Sequence, residues 1–279
     1  MNDLNFDELD KGTATETTVN FSEIYKESLI DPAEQIIQQP IALSIGESLY
    51  KGKYYPIPFG SYGDFSCIVG ASKSQKTFFK SMIEAAYIGG QSNIHNPSIK
   101  GHNAENKVIV SFDTEQSRFH TQRVQRRVLD LVGSTCDLYK TFSLRSYAPN
   151  ERLQFIDWVV FESEFKDNIG LMSIDGYVDL VTDFNNLEMA TGLTEKLLQW
   201  TSKGKMHCTG ILHKNFGTSK PVGHVGSSVL KKAETVVFIE RNENETIVKC
   251  EYSRNQPFND IVFTVDDNDW LPKEVKNWL

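Results

Sequence analysis

The stretch CIVGASKSQKTFF, Cys67 to Phe79, carries the residue types that hold a phosphate group. An apolar run opens into small and polar residues, reaches Lys76 and Thr77, and resumes at helical spacing. Backbone N–H groups at a helix N-terminus and the positive end of its dipole favour an anion; a lysine there reaches the β and γ phosphates, and a threonine hydroxyl serves Mg2+. The pattern approaches G-x-x-x-x-G-K-[ST], with Gly70, Lys76 and Thr77 in register and Gln75 where a second glycine belongs. Glycine at that point supplies positive φ and close backbone access to phosphate, and a Gln side chain opposes both. The residues expected around a phosphate are Gly70, Ser72, Lys73, Ser74, Gln75, Lys76, Thr77 and Phe78, with Lys73 adding a positive charge. Taken alone, the stretch also fits a polar strand-to-helix turn capped by Ser72 or Ser74.

Two more segments end in carboxylates. KVIVSFDTEQS closes a buried strand with Asp113 and Glu115, and IGLMSID closes another with Asp175, where a carboxylate and Thr77 can together hold a Mg2+ shell. Ligands of open α/β sheets bind outside the carboxyl ends of the strands, so all three segments are expected at one edge.

Positioning them requires alternating elements. The pattern predicts strands at 41–45, 64–69, 107–112, 138–142, 170–175, 207–212, 235–240, 245–252 and 260–264, several of them short continuous apolar runs of the kind buried on both faces of a parallel sheet. Helices are expected at 76–90, 117–132, 150–165 and 186–203; in the third, Leu153, Ile156 and Val160 recur behind an Asn150 cap. DPAEQIIQQP predicts a short helix with Asp31 as cap, Pro32 at its first position and Pro40 as its stop. The fold class is therefore α/β: a mostly parallel sheet flanked by helices, with an antiparallel extension at the C-terminal edge. Residues 1–39 form an acidic N-terminal arm and 40–279 one domain.

The net charge of −8 speaks against a nucleic-acid binder until its distribution is considered. Residues 1–36 hold nine acidic residues against two lysines, leaving 28 acidic and 27 basic residues elsewhere, so the body is nearly neutral. Cys67, Cys136, Cys208 and Cys250 are far apart, with no CxxC pair or zinc spacing. No apolar run approaches the roughly 18 to 20 residues that span a bilayer, and the N-terminus lacks a basic-then-apolar signal. The expectation is a soluble cytoplasmic protein with no membrane partner.

The order of these segments resembles the RecA-like P-loop ATPase core, in the branch that holds DnaB-like replicative helicases and plasmid RepA-type hexameric helicases. In VSFDTEQSRFHTQRVQRRVLDL, Glu115 matches that family's water-activating glutamate, followed by Arg123, Arg126 and Arg127 on a helix; Asp175 matches the Walker B aspartate. CTGILHKNFGTSKPVGHVGSSVLKKAETVVFIER resembles the family's sensor strand, mobile loop and G-S-S segment, so His213 matches the γ-phosphate sensor and Gly226, Ser227 and Ser228 match G-S-S. SRNQPFND is similar to the stretch that carries an arginine finger into a neighbouring subunit, which aligns Arg254 with that arginine and puts Tyr252 where a lysine usually stands.

The resemblance implies ATP and Mg2+ as ligands and a homo-oligomeric ring, a hexamer. It also implies translocation on single-stranded DNA in the replication of a plasmid, phage or mobile element, with a replication or mobilisation partner for the acidic arm. Channel loops of such rings touch the strand, and KNFGTSKPVGHVG offers Lys214, Phe216, Lys220 and His224 for that contact. Two other readings stay open: a regulatory or recombination RecA-like ATPase that does not unwind, and a nucleotide-binding scaffold with little or no hydrolysis.

Overall fold

A computed structural model describes residues 20–214 and 222–275. The chain divides into two compact units, Met1–Gln38 and Gln39–Leu279. In the first, helix α1 (Phe21–Ser28) starts at Asn20, whose side-chain oxygen accepts the Glu23 N–H at 3.3 Å. The helix expected at DPAEQIIQQP does not form. Asp31 Oδ1 accepts the Ala33 N–H at 2.8 Å and closes a turn two residues long, and no helix follows. Two prolines bracket too few residues for a helix that has no packing to sustain it.

The second unit is built on a nine-stranded sheet and a smaller three-stranded one. Its strands are β1 (Ile41–Tyr50), β2 (Lys53–Ser61), β3 (Phe65–Gly70), β4 (Ile99–Gly101), β5 (Val108–Asp113), β6 (Tyr139–Ser143), β7 (Ile169–Asp175), β8 (His207–His213), β9 (Thr235–Arg241), β10 (Thr246–Ser253), β11 (Ile261–Val265) and β12 (Pro272–Glu274). The large sheet runs β12-β11-β10-β9-β3-β8-β7-β5-β6. The six strands from β9 to β6 are parallel, and β10, β11 and β12 extend the sheet antiparallel. The expected α/β architecture is present, with its antiparallel edge. The expected strand at 41–45 departs from the pattern: β1 pairs with β2 and β4 in the separate sheet, because a tight hairpin returns the chain at once.

Helices cover both faces. On one lie α2 (Lys76–Ile88), the short α3 (Ser92–His95) and α4 (Arg118–Val132); on the other lie α5 (Pro149–Phe161), α6 (Leu187–Gly204) and α7 (Gly223–Lys232). Alternate strand residues serve the two cores. Ile68, Ile109, Leu171 and Ile211 face α2 and α4, while Val69, Val110, Met172 and Leu212 face α5 and α6. That double burial is why these strands read as unbroken apolar runs. Helix α5 is capped at Ala148, two residues before the expected Asn150 cap, because Pro149 presets its first φ and Glu151 Oε2 takes the Ala148 N–H at 2.7 Å. All four cysteines are free, and no described helix is long and apolar enough to cross a membrane.

One ion pair lies inside the core. Lys80 and Glu84, one turn apart on α2, are 3.1 Å from each other and essentially inaccessible to solvent. Lys80 Nζ also donates to Ser111 Oγ on β5 at 3.1 Å, and Glu84 accepts from Tyr139 on β6 at 2.8 Å and from Ser173 on β7. Burial alone would depress the Lys80 ammonium, but Glu84, Asp175 and Asp113 together hold its pKa above the ordinary value. Removing one member of such a pair strands a buried charge at a cost of about 3–5 kcal/mol. Lys80→Met should therefore lower unfolding free energy by about that amount, and Lys80→Met/Glu84→Met should recover at least half of the loss. Urea denaturation of the three chains checks both; a double variant as unstable as the single one would show that volume, not charge, holds the site.

Candidate active site

Strand β3 delivers the chain to Gly70, and α2 departs at Lys76; Ala71–Gln75 turn between them. Two of the loop residues are left-handed, Lys73 at φ 61° and Gln75 at φ 70°, ψ 24°. A non-glycine residue there costs roughly 1–2 kcal/mol. The loop thus keeps, at Gln75, the conformation that glycine would adopt freely. Gln75 is held by its side chain, whose Oε1 accepts from Thr246 Oγ1 on β10 at 2.5 Å. Gly70 has a different reason to be glycine: a Cβ there would lie 2.5 Å from Ser74 Oγ and 2.9 Å from the Ile239 carbonyl.

Around this loop is a cleft of about 940 Å³, lined by Lys73, Ser74, Gln75, Lys76, Thr77 and Phe78. Its volume suits a small ligand the size of a nucleotide. Glu115, Asp175 and His213 line the same cleft, so three strand ends meet the loop there as expected. Lys76 is buried, and its ammonium donates to the Ala71 carbonyl at 2.6 Å. Desolvation lowers its pKa against the opposing pull of Glu115 and Asp175. Thr77 Oγ1 is 3.2 Å from Asp175 Oδ2, which puts the two expected Mg2+ ligands side by side. Ser74 Oγ is buried in this loop without a hydrogen-bond partner. A buried hydroxyl left unsatisfied in a cleft that a buried ammonium also lines fits a site for an anion.

The carboxylates divide their work. Asp113 and Asp175 are register partners across β5 and β7. Asp113 Oδ1 accepts the N–H groups of Glu115 and Gln116 at 3.1 and 2.8 Å, and Oδ2 accepts from Thr121 Oγ1 at 2.9 Å. It is therefore consumed in building the turn that aims Glu115. Glu115 Oε2 is 3.5 Å from His213 Nε2 at the end of β8, and that contact chiefly lowers the Glu115 pKa. A carboxylate kept ionised at the mouth of the cleft can accept a proton from, or orient, a water. Thr114 Oγ1 ties the same turn to the Asp175 carbonyl at 2.6 Å and to Asp179 Oδ2 at 2.8 Å.

Other expected residues lie elsewhere. Ser72 is exposed on the loop, and Gly70 ends the strand without lining the cleft. Gly226, Ser227 and Ser228 are on α7, where Ser228 Oγ accepts from Thr194 on α6 at 3.0 Å; this segment packs two helices. Lys214 follows β8, its ammonium 5.8 Å from the Phe238 ring centre, and His224 is exposed on α7. Phe216 and Lys220 lie outside the described residues. Arg254 sits at the opposite, amino end of the parallel strands: its guanidinium contacts both Asp64 oxygens at 3.1 Å and the Lys232 carbonyl.

Several lining residues were not anticipated from the sequence. Arg241 ends β9, Thr246 and Trp270 come from the antiparallel edge, and Arg127 lies 3.7 Å from the Phe78 ring centre. Burial, with Arg123 nearby, lowers the Arg127 pKa to about 10. Nothing local in the sequence marks the edge residues. The serines beneath the carboxylates did leave a signal, since β5 and β7 both end in Ser-x-Asp, Ser111–Asp113 and Ser173–Asp175, and residues two apart share a strand face. A second cavity of about 820 Å³, lined by Arg118, Phe119, Tyr147 and Phe155 among others, contains none of the expected residues.

Two outcomes test this geometry. Gln75→Ala keeps the left-handed strain and loses the bond to Thr246, so it should destabilise the chain by about 1 kcal/mol; Gln75→Gly loses the same bond but relieves the strain, so its thermal midpoint should lie above that of the alanine variant. Asp175, fully buried, has its pKa raised from 3.8 to about 6, first by desolvation and then by Asp113 and Glu115 against Lys80. The folded chain therefore binds more protons than the unfolded one between those values, and stability falls as pH rises from about 4 to about 6, by on the order of 3 kcal/mol. Asp175→Asn should match wild type near pH 4 and exceed its unfolding free energy at pH 7.5 in EDTA; equal stabilities at both pH values would remove the burial cost. No protein-family model matches the chain and no curated protein matches it, so its function has to be argued from the residues of this cleft.

Proposed function

We propose that the chain is a RecA-like P-loop ATPase that works in the cytoplasm as a homo-oligomeric ring, a hexamer, and couples ATP hydrolysis to translocation on single-stranded DNA. The observation that carries the ATPase reading is the meeting of Lys76, Thr77, Asp175, Glu115 and His213 in one cleft around the buried, unpartnered Ser74 Oγ. The residues present fit Mg2+ and a nucleoside triphosphate. Thr77 and Asp175 would hold the ion, which neutralises phosphate charge when bound. Lys76, already desolvated, is placed to exchange its bond with the Ala71 carbonyl for one with phosphate oxygens. Glu115, kept anionic by His213, orients the attacking water, and His213 reads the presence of the γ-phosphate through the same contact.

The left-handed backbone at Gln75, the conformation a glycine would take there, supports phosphate binding by the loop. Arg254 is assigned to the neighbouring subunit's site. It is far from the cleft of its own chain, so any contribution to catalysis must come across an interface, after exchange of its pair with Asp64.

The ATPase rate with and without single-stranded DNA tests the reading in wild type, Lys76→Ala and Glu115→Gln. Each substitution is expected to lower turnover at least about 100-fold, as loss of a phosphate clamp or water-orienting group does, and DNA is expected to stimulate wild type. A wild type no faster than either variant in both conditions would leave a nucleotide-binding scaffold as the better account.

A further inference from the structure

The hairpin β1–β2 has a buried base and an exposed tip. Its base is core: Ala42, Leu43, Ile45 and Phe59 are buried, and the Phe59 ring lies 6.3 Å from Phe79 on α2. Register shifts around Ser44 and a left-handed Gly46 then separate this base from the tip. Every residue from Leu49 to Tyr55 is exposed. Three large aromatic rings are among them, with Tyr50, Tyr54 and Tyr55 at 60, 70 and 47% exposure.

The tip is stiff. Lys51 and Gly52 both have positive φ, 48° and 76°, as a two-residue type I′ turn demands, and the Tyr50–Lys53, Leu49–Tyr54 and Ser48–Tyr55 pairs follow in unbroken register. That register puts Tyr50, Lys53 and Tyr55 on one face. The Tyr50 and Tyr55 rings meet edge to face at 6.5 Å, and Lys51 Nζ lies 5.2 Å from the Tyr50 ring centre. Residues 48–55 hold two lysines and no carboxylate in a chain of net charge −8, and the nearest acid on β1, Glu47, is taken by Lys100 at 2.7 Å.

We propose that this hairpin tip is a binding platform for single-stranded nucleic acid, on which bases stack against Tyr50 and Tyr55 while Lys51 and Lys53 contact phosphates. Aromatic side chains interleaved with ammonium groups satisfy both parts of a single strand, the π-faces of its bases and its charged backbone. A plain hydrophobic interface would not need the lysines, and an exposed ion-pairing surface would not need the rings. The site shares no residue with the cleft around Lys76. It rests on the DNA part of the reading above and needs no nucleotide turnover.

Fluorescence anisotropy with a fluorescein-labelled oligothymidylate of roughly 20 nucleotides, without ATP, tests it. Tyr50→Ala/Tyr55→Ala should weaken binding at least about tenfold, and Tyr50→Phe/Tyr55→Phe, which keeps the rings, should bind as wild type. Lys51→Gln/Lys53→Gln should reduce the slope of log affinity against log salt by about 1.4. ATP turnover without DNA should be unchanged in all three, so the platform and the ATPase can fail separately. If the alanine pair binds as tightly as wild type, the platform is overturned and DNA contact elsewhere survives; if wild type does not bind the oligonucleotide, both are lost. Tip variants that change only co-sedimentation with phosphatidylserine vesicles, or only the elution volume of the assembly, would overturn the platform in favour of a membrane or self-association surface.

Discussion

The ion pair between Lys80 and Glu84 is the constraint on which the site depends. Helix α2 begins at the loop Ala71–Gln75, and one turn later its buried Lys80–Glu84 pair reaches across to β5, β6 and β7 through Ser111, Tyr139 and Ser173. Ser111 and Ser173 stand two residues before Asp113 and Asp175 on the same strand faces. A helix that slid or rotated would leave a lysine and a glutamate unpaired in the core. The distance from Thr77 to Asp175 is thus set by polar satisfaction inside the sheet, one layer beneath the cleft.

Above that layer, the cleft concentrates unfavourable terms. Burial pushes the Asp175 pKa up, Lys76 is desolvated, Ser74 Oγ has no partner, and Lys73 and Gln75 hold left-handed backbones. Each weakens the fold by itself, and they cluster in one loop and one strand end, as strain gathered at functional sites does. The remainder of the second unit offsets it with two full hydrophobic cores, one on each face of the sheet.

The two ends of the parallel strands have different chemistry. At the carboxyl end stand the loop, three acidic side chains and His213; at the amino end Glu234 accepts from Ser61 and Asn255 while Asp64 holds Arg254. The loop, the carboxylates and His213 therefore share one end of the sheet, and the Arg254 guanidinium is held at the other. A head-to-tail ring is the kind of assembly that brings such unlike surfaces together.

Much of this was legible in the sequence, because doubly buried strands announce themselves as short apolar runs and helices by their period. Nine strands and four helices lie within a few residues of their expected bounds, and Lys76, Thr77, Glu115, Asp175 and His213 are strand-end or helix-start residues whose neighbourhood follows from sheet polarity alone. The missed strands β2, β4 and β12 lie at sheet edges and owe their form to partners distant in the chain; helices α1, α3 and α7 were missed as well. The residues 31–40 were misread because capping signals say where a helix can start and not whether packing will sustain it. What sequence alone determined is the set of groups at the carboxyl edge, since alternation and order suffice to put them there. What only tertiary structure decided is how they are held: that Gln75 takes a glycine's backbone because Thr246, on a strand 171 residues away, binds its side chain, and that Asp113 is spent on the turn which aims Glu115. Those outcomes depend on distances between segments far apart in the chain, which local pattern does not encode.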